Sequence, residues 1–458
     1  MDNFLKYSKI FICTLLCLGM GFGFPLNGLE KELDAAVLNS EPVYLQSQAV
    51  TASEENLSPS EEAVPSTPDE TGKPTESSKN APAAEEPKEQ APNPEPPIIT
   101  ASSVPEKRAV WISFLEYQKI LKNKTEREFR NTVCEYFNKC AEYGLNTVIV
   151  HARSHGDAYY KSEYFPASVN FAGDRKNTFP FDPLKIMTEE AHKRNLKIEA
   201  WVNPYRGNKT EDSFAPDDPV AKWIGTEKVF KWGNSETGDE YYYFNPGEPE
   251  VRELIIKGII EIVDNYDIDG IHFDDYFYPT ADASIDTVTF EKYGGGRTLD
   301  EFRTDCVNRL VSAVYREIKA RQNITFGISP AGNVDSCINK SFADVRLWGS
   351  NEGYVDYIMP QIYWDYGEGS LPFETALSAW KEILTNPNIK LAVGLAAYKV
   401  TDTPADYWSS GDILKRQVED LRTVPNYIGF SIFRYEDLFS DRLKTERENL
   451  NQILGSVK

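Results

Sequence analysis

From Arg108 onward, short apolar runs rich in β-branched and aromatic residues alternate with longer helix-like segments, and this alternation restricts the fold more than any other feature. Eight such runs occur. "RAVWISF" starts at Arg108, "NTVIVHAR" at Asn146, "KIEAWVNPYR" at Lys197 and "GIHFDDY" at Gly270. "TFGISPAG" starts at Thr325, "YIMPQIYW" at Tyr357, "KLAVGLAAY" at Lys390 and "IGFSIFRY" at Ile428. Between them lie amphipathic helical patterns. "EREFRNTVCEYFNKCAEYG" closes on Gly144, a helix C-cap signal, and Val251, Leu254, Ile255 and Gly258 recur at helical spacing. Eight strands alternating with helices predict an α/β fold of the (β/α)8 TIM-barrel kind. A doubly wound open sheet is the competing arrangement, but no glycine-rich phosphate loop follows the first strand.

In a barrel of this kind, functional side chains gather at the C-terminal ends of the strands. Here strand after strand ends in polar residues. The second runs into "HARSHGDAYY", the third into "NPYR", the fourth into "DDYFYP", the fifth into "SPAGN", the sixth into "PQIYWD" and the eighth into "FRYED". The fourth is the densest, with four carboxylates between Asp267 and Asp275. Period-2 alternation puts His272, Asp274 and Tyr276 on the face that looks into the barrel. Asp275 falls on the rim unless the strand has begun to turn.

The chain before Arg108 is of another kind. Lys6 and Lys9 precede an apolar run from Ile10 to about Phe24, too short to span a bilayer and the right length for an export signal. Gly21 and Gly23 suit cleavage, whereas the bulky Ile12 and Leu16 before Cys13 and Cys17 do not suit lipoprotein processing. Residues 51–107 hold 11 Pro, 12 Asp or Glu and 4 Lys with almost no large apolar side chains, so they cannot repay their conformational entropy. The expected organisation is a signal peptide or signal-anchor over 1–28, a disordered acidic spacer over 29–107 and the barrel over 108–458. That makes the protein extracytoplasmic, with the membrane met only through the N-terminal segment.

Composition excludes several classes. With 49 Lys and Arg against 71 Asp and Glu, the net charge of −22 leaves no basic footprint for nucleic acid. Four histidines, His151, His155, His192 and His272, would nearly all be consumed by one three-histidine zinc site, so no metal or other cofactor is expected. Of the cysteines beyond the signal, Cys134 and Cys140 lie six apart on one helix and point to different faces, which favours free buried thiols. The 25 Tyr and 8 Trp are what a carbohydrate site uses, because sugar C–H faces pack on flat rings while the hydroxyls take hydrogen bonds.

The segments "RAVWIS", "NTVIVHARSHGDAYYKSEYFP", "EAWVNPYR", "YFNPGEPEVRELIIKGIIEIVDNYDIDGIHFDDYFYP", "GISPAGN" and "DYIMPQIYW" resemble the glycosyl hydrolase-like 10 family of bacterial envelope proteins. The resemblance runs from about Arg108 to the late 430s. It implies a glycosidase-like (β/α)8 barrel with a polysaccharide partner, cell-wall glycan being the substrate it suggests. Carried over, it marks Asp274 and Asp275 on the fourth strand, Arg153 and Asp157 after the second, Asn203 and Arg206 after the third, and Gln361, Tyr363 and Trp364 after the sixth. There is a weaker likeness to chitinase-like family 18 barrels, but Tyr276 stands where their catalytic Glu would be.

Glycoside cleavage usually needs two carboxyl groups, one acid and one base or nucleophile. Asp274 is the first candidate, with Asp275 beside it. Asp157 is a candidate partner, with loop fixing through Arg153 as the alternative. Glu199, in mid-strand, is expected in a buried pair. Asn203, Gln361 and Tyr363 read as donors to sugar hydroxyls, and Trp201, Trp364 and Tyr278 as stacking platforms. His155, with His151, suits hydrogen bonding to substrate, and Asn333 suits a sugar or its own loop. The competing function is a glycan-binding barrel without catalysis.

Overall fold

A computed structural model describes residues 98–455, apart from 103–104, 175–176, 178, 210–213, 216–217, 234–238, 368–370 and 401–406. The expected export segment and most of the expected spacer lie outside the described residues.

All eight predicted strands form, and they close a parallel barrel. In chain order they are β1 (Lys107–Ile112), β2 (Thr147–Arg153), β3 (Lys197–Val202), β7 (Gly270–Phe273), β8 (Thr325–Ile328), β9 (Tyr357–Ile358), β10 (Lys390–Ala396) and β11 (Tyr427–Phe433). The order around the barrel is β1-β11-β10-β9-β8-β7-β3-β2. The helices Glu126–Glu142, Pro183–Lys193, Pro249–Asn265, Leu299–Arg321, Phe373–Ile383 and Ile413–Leu421 separate successive strands. Two of them start on reciprocal capping boxes, Thr125 with Glu128 and Thr298 with Glu301. The first ends with Tyr143 at the C-cap and Gly144 next, at φ 87°, a left-handed position that suits glycine.

Strand periodicity divides the side chains into two cores. Outward residues such as Val148, Val150, Ile198, Ala200, Ile271 and Phe273 pack under the helices. Inward ones fill the barrel with Trp111, Ile149, Trp201, Tyr357, Met359 and Phe433. Two glycines make room for the largest rings. A Cβ on Gly327 would lie 1.9 Å from the Tyr357 ring, and one on Gly394 would lie 2.8 Å from Trp111. The interior is thus a packed core rather than a pore.

Two features depart from expectation. A three-stranded antiparallel sheet, β4 (Arg206–Lys209), β5 (Val229–Gly233) and β6 (Glu240–Phe244), in the order β4-β6-β5, is inserted between β3 and β7. Residues 98–107, assigned to the spacer on composition, are partly docked on the barrel. Ala101 is buried and its N–H donates to the Arg194 carbonyl, Glu106 pairs with Arg108 and Arg422, and Lys107 opens β1. The folded part therefore begins before Arg108.

Candidate active site

Beneath the mouth, the barrel holds a buried polar network. Glu199 on β3 accepts from Lys107 Nζ on β1, from Tyr357 Oη on β9 at 2.5 Å and from Thr325 Oγ1 on β8 at 3.0 Å. Tyr357 Oη is also 2.9 Å from His272 Nδ1. Burial pushes the Glu199 carboxyl up, but the Lys107 charge and the hydrogen bonds from Lys107 and the Tyr357 hydroxyl outweigh it, and the group lies below its ordinary value. Burial takes His272 down to about 3, so it is neutral. Glu199 thus has the buried pairing its mid-strand place suggests. His272 belongs to this floor and is fully enclosed, which corrects its expected role in touching substrate.

Asp274 is the first residue past the end of β7 and is 4 % exposed. Its Oδ2 accepts from Trp201 Nε1 at 2.9 Å, and its Oδ1 from the Tyr276 N–H at 3.2 Å. Burial raises the carboxyl, the adjacent Asp275 raises it further, and the Trp201, Tyr276 and Arg206 groups pull it back, leaving it at about 7. Trp201 is not a sugar platform. Its ring lies on His151 with centroids 3.3 Å apart and planes at 19°, and its N–H is spent on Asp274.

Asp275 belongs to the turn, since β7 stops at Phe273. Its Oδ1 accepts from Gln361 Nε2 at 3.1 Å, and the same amide donates to the Ser329 carbonyl at 3.0 Å. Gln361, expected to meet a sugar, therefore orients Asp275. Tyr363 packs edge-on to Tyr398, and burial first, then the nearby Tyr398, Asp275 and Asp274, hold its hydroxyl well above the ordinary range. Its placement beside both acids leaves it a candidate donor at the mouth.

A wall of rings and one cation stands beside the acids. The Arg206 guanidinium lies 4.8 Å from the Tyr241 ring and 4.8 Å from the Tyr276 ring, with its backbone N–H fixed by Asn203 Oδ1. His155 stacks on Tyr241 at 5.9 Å and takes Phe114 edge-on at 4.8 Å. Tyr241 comes from the inserted sheet and was missed. The aromatic run "YYYF" at 241–244 is the signal that could have revealed it.

Other candidates are occupied elsewhere. Asp157 is 2 % exposed, and its Oδ1 accepts from the Ser154 and His155 N–H groups at 3.2 and 2.8 Å, so this carboxylate holds its own loop. Arg153 donates to the Asn203 and Pro204 carbonyls at 2.9 and 2.8 Å and lies over Phe165. It ties the β2 and β3 loops together rather than facing a sugar. Asn203 is buried in the same junction. Tyr278 is core, edge-on to Phe342, and not a platform. Asn333 caps the helix Val334–Asn339 by accepting from Ser336 N–H at 3.0 Å. Trp364 is half-buried, its ring packed on Gly332. Cys134, Cys140, Cys306 and Cys337 are buried free thiols. Among the described residues, no group of three or more His, Cys, Asp or Glu is placed to hold a metal ion.

A (β/α)8 barrel with a buried, elevated carboxyl paired with a second acid at the C-terminal mouth is the architecture of a glycosidase-like protein. The comparisons agree. The chain belongs to the glycosyl hydrolase-like 10 family, whose model matches residues 106–409. It is 34% identical over 372 residues to glycosyl hydrolase YngK of Bacillus subtilis, covering 75% of this chain and 71% of that one. It is 28% identical over 401 residues to glycosyl hydrolase DigH of Escherichia coli, covering 79% and 90%. The glycoside hydrolase domain of PgaB (BpsB) from Bordetella bronchiseptica shares the fold, with a TM-score of 0.51 at 14% identity over 77% of this chain and all of that domain.

Proposed function

We propose that the protein is an exported glycoside hydrolase cleaving glycosidic bonds in an envelope polysaccharide, peptidoglycan glycan strands being the first substrate to test. The observation that carries this reading is Asp274, whose carboxyl is buried, held by the Trp201 N–H and raised to about 7. A carboxyl that keeps its proton near neutrality can give it to the glycosidic oxygen as the bond breaks. In this reading Asp275, which accepts from Gln361, serves as the second carboxylate, stabilising positive charge on the sugar or activating water. Export rests on the N-terminal sequence, with its basic start and short apolar run.

The second reading, a glycan-binding barrel without turnover, is favoured by one observation: Asp157 is engaged by its own loop. The two readings separate on soluble fragments released from purified peptidoglycan, with and without stripped peptides, by wild type beside Asp274→Asn. Fragments from wild type alone support the hydrolase, and their end groups name the bond. No fragments from either, with binding retained, support the binding barrel.

The pH dependence has a definite sign. The acid works only while protonated, so kcat/KM should fall as pH rises through about 7. Trp201→Phe removes the indole donor, which favours the charged form of Asp274. The alkaline limb of the pH–rate profile should therefore move to higher pH in that variant. A limb that stays in place would show that another group sets it.

A further inference from the structure

We infer that His151 is a further substrate-contacting residue, donating a hydrogen bond from Nε2–H to a hydroxyl or carbonyl oxygen of the sugar bound at Asp274. This inference rests on the glycosidase reading. His151 lies on the inward face of β2, directly opposite Trp201 on β3. Two rings and a backbone clamp hold it in place. It stacks on Trp201, whose N–H reaches Asp274, so one ring separates the imidazole from the acid. Phe114 lies against it, with centroids 5.7 Å apart. Tyr117 Oη donates to the His151 carbonyl at 2.9 Å, clamping the backbone.

The hydrogen bonds decide which nitrogen carries the proton. The Phe114 backbone N–H donates to His151 Nδ1 at 3.0 Å. A backbone N–H can only donate, so Nδ1 is the bare nitrogen and the proton of the neutral ring is on Nε2. Burial, then the Arg206 charge, hold the imidazole well below its ordinary value, so the ring stays neutral. Nε2 has no protein partner among the described residues, although the side chain is 3 % exposed. It is also absent from the set of sealed, unpartnered polar atoms, which includes Nε2 of His272 below it. A donor with no protein partner, not sealed from solvent and one ring away from the acid, is what a neutral sugar oxygen requires. The same neutrality makes it a poor proton donor, so it complements Asp274 rather than replacing it.

Two substitutions separate the anchor from the donor. In His151→Asn the amide oxygen can take the place of Nδ1 and keep the Phe114 contact, but nothing replaces Nε2–H. In His151→Gln the amide N–H can replace Nε2–H, but the Phe114 N–H loses its acceptor. In the full chain, Asn should therefore melt close to wild type and lose about 10²-fold in kcat/KM on peptide-stripped glycan strands. Gln should melt lower and stay within about tenfold of wild-type activity. A merely structural His151 would make activity follow melting temperature, and that result would overturn the inference.

A second readout is the imidazole 15N spectrum, readily assigned because the chain has four histidines. His151 should show the neutral Nε2–H form, and its Nε2–H signal should move when stripped glycan oligosaccharides are added to Asp274→Asn. Wild type that cleaves, with an unmoved signal in Asp274→Asn saturated by oligosaccharide, would overturn this inference alone. Wild type that neither cleaves nor binds would overturn both this inference and the glycosidase reading.

Discussion

Asp274→Asn should melt at a higher temperature than wild type at pH 8 while cleaving glycan about 10²–10⁴-fold more slowly. The two effects share one cause. The Asp274 carboxyl is enclosed, and burial, then the adjacent Asp275, raise it from an ordinary 3.8 to about 7. Between those values the folded chain binds a proton that the unfolded chain has released. Stability therefore falls as pH rises through the window, and below about 3.8 the cost is absent. Above about 7 the full difference applies and the charged carboxyl destabilises the folded chain. Asn carries no titrating group, so the gap between variant and wild type should open from about pH 4 and level off above about 7. Thermal melts of both proteins across pH 4–8 measure it. A constant gap would mean that Asp274 titrates at the same pH in the folded and unfolded chains.

The second large effect lies in the floor of the barrel. Lys107→Met should destabilise the protein by about 3–5 kcal/mol, because it leaves the Glu199 carboxylate buried without its cation. Tyr357 and Thr325 would still donate to it, but neither carries charge. The sign with pH is set by Glu199. With Lys107 present its carboxyl is held below the ordinary value and is charged. Without Lys107, burial raises it, so the penalty is largest at alkaline pH and shrinks as acid protonates the group. Adding Glu199→Gln to Lys107→Met should recover part of the loss at pH 8, because the uncompensated charge is gone. Urea unfolding of the two variants checks this, and a double variant less stable than the single one would refute it. The network includes His272 on β7, so its failure should loosen the strand that leads into Asp274.

The strands were legible because each is a short apolar run closed by polar residues, although several ladders stop well before the run does, β9 spanning only Tyr357–Ile358. The inward side of β7 was legible too, since alternation from His272 reaches Asp274 two residues on. Past the last ladder residue, that logic stops. Trp201, Tyr278 and Asn333 carry the residue types of a sugar site, yet they serve as an acid clamp, a core ring and a helix cap. Nothing in residue type separates those roles.

What the sequence determined by itself was the barrel and the strand end at which the two candidate acids stand, because strand period and apolar patterning are local and repeat along the chain. The tertiary structure alone decided what each polar side chain does there. The β2–β3 register shifts between His151 and Arg153, so Arg153 reaches the Asn203 and Pro204 carbonyls while His151 stays against Trp201. Gln361 finds Asp275, and Asp157 finds its own loop. These partners lie 86, 50 or 2 residues apart, and only the closed barrel brings the distant ones within hydrogen-bonding distance. Direction at a strand end depends on twist, bulges and the neighbouring loop, none of which has a period that a sequence can display.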